Sequence, residues 1–392
     1  MGIDSEEYIL NFGPHHPSTH GVLRLILRMK GEVVISCVPD IGYLHRGIEK
    51  IVENKKWLSI TPFIDRLDYL APLHMEHAYV LALEAVLEIN VPKRAAYIRT
   101  IFDELTRIAS HIMAIGSAVH NLGMLSLFLY GFEEREKILS IFEMTTGSRM
   151  HMNYYVPGGL YDDLSDEIIQ EIRKFIRSTN FYMDAVKTMA LDNRIFKQRT
   201  VGIGLITKEI IRDGGITGPI ARASGISRDL RKDSKYGAYS DINFEIITLK
   251  EGDCYSRFEI RYMEIKQSLS IIEQCLDKMP GGKIHDHYIL RTLSDKILLD
   301  NEIKEAVYSY FFEHGIRVPE NSMVYRSTEG ARGELGVFIC TEKKRTKPYR
   351  LHVRSPNFAH IQMLEQILIG VDIQDITAIL GSLDLIMGDC DR

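Results

Sequence analysis

The sequence predicts an α+β protein: a central multi-helix bundle, a β-rich hairpin domain before it and an α/β portion after it. Three observations carry this. Apolar residues recur at three–four spacing through positions 72–189 and again through 253–279. They alternate at a spacing of two before position 65, and short β-rich runs return between 322 and 354. A period near 3.6 marks helices and a period of two marks half-buried strands. The expected organisation is residues 1–65 as the β-rich domain, 66–300 as the bundle with a loop-rich insertion at 202–252, and 301–392 as the α/β portion.

In order, Tyr8–Phe12, Val22–Met29 and Glu32–Val38 read as strands. Leu23, Leu25, Leu27 and Met29 alternate with Arg24, Ile26 and Arg28, and Lys30-Gly31 suits a hairpin turn. A short amphipathic helix is expected at Ile48–Asn54. Pro72–Ile89 carries Glu76, Glu84 and Glu88 as its only charges, so it reads as a buried helix. Asn90 ends it, and Pro92 opens the next helix in its first turn. There Ile98, Ile101, Leu105, Ile108, Ile112, Ile115 and Val119 form a heptad seam. Phe132–Phe142 and Leu164–Met189 supply two more helices. Asp253 caps a long one running to Met279, stopped by Pro280-Gly281-Gly282. Its Phe258, Tyr262, Ile265, Leu269, Ile272 and Leu276 repeat the heptad spacing, so these helices pack as a bundle. Gly202–Tyr239 reads as loop with short elements. Gly333–Thr341 and Tyr349–Arg354 are strand-like, and helices near Phe358–Ile369 and Ile373–Leu380 lead to the C-terminus.

The bulk numbers narrow the class. With 392 residues and 45% hydrophobic content, the chain can build one large core or two to three domains. A net charge of −5 gives no nucleic-acid footprint, and Lys343-Lys344-Arg345 is a short solvated run. The five cysteines share no C-x-x-C spacing, which argues against a disulfide framework, a zinc ribbon or a local iron–sulfur ligand run. They are expected to behave as small buried hydrophobes in a reducing compartment. No apolar stretch reaches the ~18 residues of a membrane helix, and Met1–Tyr8 is too short and acidic for a targeting signal.

Candidate chemistry starts in the loop Gly13–Gly21, where His15, His16 and His20 sit between stiffening prolines and permissive glycines. Imidazole titrates near neutral pH and is the usual proton-transfer group. Such a loop more commonly caps backbone groups. Tyr69 precedes the buried helix, where a phenol can donate to a carbonyl oxygen. Arg46 lies between glycine-rich turns, and by itself reads as a surface arginine. His151 is placed at a helix C-terminus, which favours the protonated ring. His74 and His77 have helical spacing, but without a third ligand they read as core histidines rather than a metal site. His285 and His287 are expected to be exposed. No nucleophile elbow, P-loop or dinucleotide fingerprint has convincing flanks.

Taken together, the runs Asn11–Arg24, Gly42–Lys50, Asp65–Tyr69, Phe132–Lys137 with Arg149-Met150-His151, Ala223–Ile226 with Arg228–Lys232, Arg332–Phe338 and the residues ending at Asp391-Arg392 carry a resemblance. The chain resembles the D-subunit family of proton-pumping NADH–quinone oxidoreductase, respiratory complex I, over almost its whole length. That family is similar to the large subunit of nickel–iron hydrogenases, whose four thiolates would fall at Asp68, Ala71, Ile386 and Asp389, with Met75 and Arg392 at the histidine places. No thiol stands in register, so the resemblance implies a cavity without metal that receives a quinone headgroup. It implies His20 and Tyr69 as the catalytic, quinone-binding pair. It also implies Arg46 and His151 beside a four-iron cluster held by an adjacent subunit, with quinone as substrate and no cofactor ligated by this chain. The implied partners are the cluster-bearing B subunit, the C subunit and the membrane-arm H subunit. The implied place is the cytoplasmic side of the bacterial inner membrane. Two departures stand out: Asn121, where a carboxylate partner for the loop histidine is usual, and Val156, where arginine is common. The competing readings are a hydrogenase-type subunit, a complex with another electron donor, and a structural scaffold.

Overall fold

The computed structural model describes residues 7–14, 21–286, 315–316, 318–342 and 346–392. His20, with the rest of the histidine loop at 15–20, lies outside them, as do His287 and Lys343–Arg345.

Three strands, β1 (Glu7–Phe12), β2 (Arg24–Lys30) and β3 (Val33–Asp40), form an antiparallel sheet in sequence order. Leu25, Leu27 and Met29 are fully buried, while Arg24 and Arg28 on the other face bond Asn11 and Glu7 across the sheet. A helix α1 (Ile48–Val52) and a single turn α2 (Thr61–Ile64) lead into α3 (Pro72–Leu87). As expected of an almost uniformly apolar helix, α3 is buried nearly throughout.

The bundle is α3, α4 (Lys93–Asn121), α5 (Leu125–Thr146) and, after the insertion, the long helix Cys254–Lys278. Pro92 sits at the N-cap of α4, one position before the first turn expected for it, with extended ψ that sets the chain up to enter the helix. α5 is twice the expected length, because the apolar Leu125–Tyr130 run continues the helical face upstream. All seven seam residues of α4 are at most 2% exposed, so the seam is a true core line. A short hairpin, β4 (Tyr155–Val156) with β5 (Gly159–Leu160), follows α5.

The expected single helix over Leu164–Met189 is broken into α6 (Asp166–Ser178), capped by Ser165, and α7 (Asn180–Ala185), which continues as a wider π-helical turn to Leu191. The insertion carries α8 (Arg194–Gln198), α9 (Lys208–Gly214), α10 (Pro219–Ala223) and α11 (Leu230–Asp233). Asp253 caps α12 (Cys254–Lys278) by accepting from Ser256 N at 2.8 Å. His285 is half-buried and bridges Gly159, against the expectation of a free polar loop.

A second antiparallel sheet, β6 (Met323–Gly330), β7 (Gly333–Cys340) and β8 (Arg350–Arg354), packs its first two strands on α3. The chain closes with α13 (Pro356–Gln362), α14 (Leu364–Ile367), α15 (Ile373–Leu383) and α16 (Met387–Cys390). Residues 370–373 bond along the free edge of the first sheet at Glu32 and Val34, tying the C-terminal portion to the N-terminal one. Four cysteines are buried and Cys340 is partly so.

The bundle interior is not purely apolar. Glu104 and Arg107 of α4, Arg222, Asp229, Arg231, Glu264 and Glu329 form one buried ionic network. His74 and His77 are core histidines, bonding the Asp103 carbonyl and carboxylate at 2.9 and 2.6 Å.

Candidate functional site

Tyr69 owes its position to the acid before it. The Asp68 carboxylate accepts from Leu70 N and Ala71 N, a local turn that starts α3. Its oxygens are gripped by Arg332 Nη1 at 3.0 and 2.8 Å, reaching in from the turn between β6 and β7. Arg332 also donates Nε to the Asp384 carbonyl at 2.8 Å and Nη2 to its carboxylate at 3.2 Å. Asp384 ends α15 in the left-handed region, φ 56°. One planar guanidinium thus holds a hairpin tip, a helix start and a helix end together.

The helix start and the helix end, with α4 and α5, line a cavity of about 160 Å³. Its apolar walls are Leu70, Met113, Phe128, Leu385 and Ile386, and its polar groups are Tyr69, Ser117, His120, Asn121 and Asp384. The His120 ring stacks on Phe128 at 5.1 Å. Burial raises the Tyr69 phenol above its ordinary pKa, opposed by Arg332, so the hydroxyl keeps its proton and can donate. Burial also raises Asp384, against Arg332 and Arg261. Deeper, Asp389 bonds Asn357 at 2.7 Å and is pushed up to about 7 by burial and then by the Asp68 charge.

Two close approaches involve α16 beside this cavity. Gly388 lies so near that a Cβ there would stand 2.5 Å from the Leu67 carbonyl oxygen and 3.6 Å from the Tyr69 ring. Gly21, at φ +140°, would bring a Cβ to 2.9 Å from Met387, next to the wall residue Ile386. The described end of the loop therefore packs on Met387, the residue after the wall residue Ile386; His20 itself lies outside the described residues.

Arg46 and His151 both stand beside Arg66 in a second cluster. The Arg46 loop is pinned from the C-terminus: Asp391 accepts from Gly42 N and Leu44 N at 2.9 and 2.8 Å, and its carbonyl meets His45 Nδ1 at 2.6 Å. Arg46 is exposed and donates to the Arg66 carbonyl at 3.0 Å. His151 sits not at a helix terminus but five residues beyond α5, at φ +57°. Its pKa is lowered, by burial, then by Arg66, with Arg46 adding to it, so the expected helix-end stabilisation of the charged ring does not hold. The following segment is anchored by Glu76, whose carboxylate accepts from Asn153 N, Tyr154 N and Tyr155 N. His151 Nδ1 stands 3.9 Å from Asp65 Oδ2. Val156 lies in β4, its carbonyl accepting from Arg99 at 2.9 Å.

Sequence reasoning placed Tyr69 and Asn121 on one cavity and joined Arg46 to His151. It missed Arg332 and Asp384 as the frame of the cavity, His120 on its wall, and Asp65 and Glu76 beside His151. The run Asp65–Tyr69 and the C-terminal Asp384 were visible, but no spacing links them to a partner more than fifty positions away. Among the described residues, no three His, Cys, Asp or Glu side chains are grouped to hold a metal ion, and no helix is long and apolar enough to cross a membrane.

Residues 121–392 match the family model described as respiratory-chain NADH dehydrogenase, 49 kDa subunit. Curated relatives, each named as the D subunit of NADH-quinone oxidoreductase, align over essentially the whole chain. That of Ehrlichia chaffeensis is 44% identical, covering 98% of this chain and 97% of its own. That of Rhodospirillum rubrum is 43% identical, covering 99% and 98%. That of Wolbachia pipientis wMel is 42% identical, covering 99% and 100%.

Proposed function

The chain belongs to the 49 kDa subunit family of respiratory-chain NADH dehydrogenase and is one of the subunits of the NADH–quinone oxidoreductase complex; from that premise we propose that its cavity at Tyr69 receives the quinone headgroup. The observation that carries this reading is the cavity itself: about 160 Å³, apolar on its walls, with a protonated phenol on its rim. A void of roughly 150 Å³ is enough for one six-membered ring.

A quinone, when bound, accepts two electrons and two protons. Tyr69 donates a hydrogen bond to one carbonyl oxygen, stabilising the charge that builds there. His20 is the second donor, on the other oxygen; the contact of Gly21 with Met387 supports a loop that reaches this wall. Asn121 accepts a hydrogen bond but cannot offset an imidazolium, so His20 is either a weaker base here than beside a carboxylate or relies on another acid. The apolar walls exclude water from the reacting oxygens.

Electrons come from a four-iron cluster in a neighbouring subunit, close to Arg46 and His151. The partners are the B and C subunits of the peripheral arm and the H subunit of the membrane arm, on the cytoplasmic side of the bacterial inner membrane. Asp68 and Asp389, at two of the positions that the resemblance sets against thiolates, lie beside the Arg332 guanidinium.

The test is Tyr69→Phe in the assembled complex. A hydrogen bond to a charged group contributes about 1.5–3 kcal/mol, so quinone reduction should fall by roughly 10–150-fold, while NADH oxidation by an artificial acceptor and assembly stay intact. An unchanged quinone rate would mean that Tyr69 does not serve the headgroup, and would favour a scaffold role.

A further inference from the structure

We infer that the Arg135 guanidinium, at the end of an uncharged apolar face of α5, is the docking point for a carboxylate of another subunit of the complex. The partner segment lays apolar side chains along α5 and sets one acid on Arg135. The inference goes beyond the headgroup reading and rests only on the chain's membership of a multi-subunit complex.

Arg135 is a buried cation without a counter-charge. Among the described residues, the other buried arginines all have partners: Arg99, Arg107, Arg222, Arg231 and Arg332 grip carboxylates, while Arg257 and Arg261 donate to backbone carbonyls. Arg135 makes no hydrogen bond or ion pair among these residues, although only 9% of it is exposed. Its Nε–H is closed off from water and has no acceptor. The sequence explains why. A helical side chain reaches those three and four positions away, and for Arg135 these are Gly131, Phe132, Ile138 and Leu139. The acids next to it are taken: Glu134 accepts from Lys137 at 2.5 Å, and Glu136 accepts from Arg149. A buried charge left alone is strongly unfavourable, so an outside group that supplies the missing charge is held firmly.

The surface beside Arg135 shows what kind of group this is. From Leu125 to Phe132, α5 carries no charge. Leu125, Phe128, Leu129 and Phe132 recur at three–four spacing and lead to Arg135 on the same face. Leu125 and Leu129 are 52% and 56% exposed, so this face is not covered by the chain itself. Phe128 and Phe132 are half-buried, edge to face at 4.6 Å. From α4 come Ile112, Met113 and Gly116, and the crevice between the two helices ends at Arg135. It has no room for a water molecule, so the missing partner arrives at the rim. Burial lowers the pKa of the guanidinium, against the charge of Glu136 and together with that of Arg149.

Charge complementarity selects an anion, and the apolar stripe selects a protein segment to carry it. A small free anion would satisfy Arg135 but leave Leu125 and Leu129 in water. A carboxylate on a partner chain meets both needs, because its two oxygens match the planar guanidinium fork while its neighbours cover the apolar residues. Interfaces are commonly built this way, with an arginine anchor inside a patch that excludes water.

In the assembled complex, Arg135→Lys puts an amine where the guanidinium stood. A water-soluble carbodiimide joins such an amine to a touching carboxylate as an amide and itself leaves as the urea. Mass spectrometry of the digested complex then reads which acid was taken. The expected product links the peptide carrying position 135 to an aspartate or glutamate of another subunit. Links from position 135 only to acids of this chain, or no link, overturn the proposal. Arg135→Met gives a second reading. With a partner carboxylate stranded, the rate at which this subunit leaves the complex in urea should rise about 30-fold or more, and Arg135→Lys, which keeps a charge, should recover part of that loss. If nothing pairs with Arg135, methionine removes an uncompensated buried charge, so a release rate that stays level or falls also overturns the proposal. Should the Arg135→Met complex fail to assemble, the cross-link decides alone. The headgroup reading stands or falls separately, by Tyr69→Phe.

Discussion

Removing Arg332 should test the frame of the cavity most directly. Arg332→Met takes away four hydrogen bonds, two to Asp68 and two to Asp384, and leaves both carboxyls in the interior, 1% and 6% exposed. Burial alone works against the charge of this arginine, yet Asp384 and Asp68 hold its pKa above the ordinary value, so the ion is held firmly. Breaking a buried pair by deleting one partner costs about 3–5 kcal/mol, two to three and a half decades in the opening equilibrium. The stranded carboxyls can escape part of this by taking protons. The folded pKa of Asp384, already raised by burial and no longer opposed by Arg332, then lies further above that of the unfolded chain. Such groups favour the folded state at low pH and lose that contribution as pH rises through the folded value. The deficit should therefore be small near pH 5 and complete by pH 8. Arg332→Lys should lose less, because a point charge can still serve one carboxylate. Amide hydrogen exchange of peptides from α3 and α15 in the assembled complex reads the local opening energy. A deficit below about 1 kcal/mol at pH 8, or one equal at pH 5 and pH 8, would show that the guanidinium does not hold these elements.

Two further outcomes follow from the same geometry. Asn121→Asp places a carboxylate on the cavity wall, which should raise the pKa of a loop histidine beside it by about one unit or more; the alkaline limb of quinone reduction against pH should move upward by that amount, and no movement would place the loop histidine elsewhere. Buried His360 is held down to about 3, chiefly by burial, from 6.5. Its neutral ring supports the fold fully above pH 6.5, and that support drains as pH falls toward 3, with a slope of up to about 1.36 kcal/mol per unit. His360→Gln should show a shallower acid dependence in denaturant unfolding, and an identical slope would refute the assignment.

Much of the architecture is local in origin and so legible in the chain. The alternation of Leu23, Leu25, Leu27 and Met29 makes one sheet face, and the heptad seams of α4 and α12 make the bundle, because side-chain periodicity and burial are the same fact in a regular element. Asp253 announced the start of α12 because a cap bonds two or three residues on. The motif runs located Tyr69, Arg46 and His151, and Asn121 stood out as a departure from the family pattern. Periodicity misjudged what it does not encode. The unbroken pattern over Leu164–Met189 hid the break near Thr179, and the apolar seam of α4 gave no hint that Glu104 and Arg107 beside it are buried ions.

What the tertiary structure alone decided is who meets whom across long separations. Asp68 finds Arg332 across 264 residues, and Asp391 pins Gly42 across 349. Asp65 comes within 3.9 Å of His151 across the chain, beside the turn that Glu76 holds through the amides of Asn153, Tyr154 and Tyr155. A buried charge takes whichever counter-charge the packing brings within a few ångströms, and the direction in which helices and hairpin tips converge is set by the whole core. No spacing along the chain carries that information, so the elements were readable in the sequence, while the frame around the cavity existed only once they had packed.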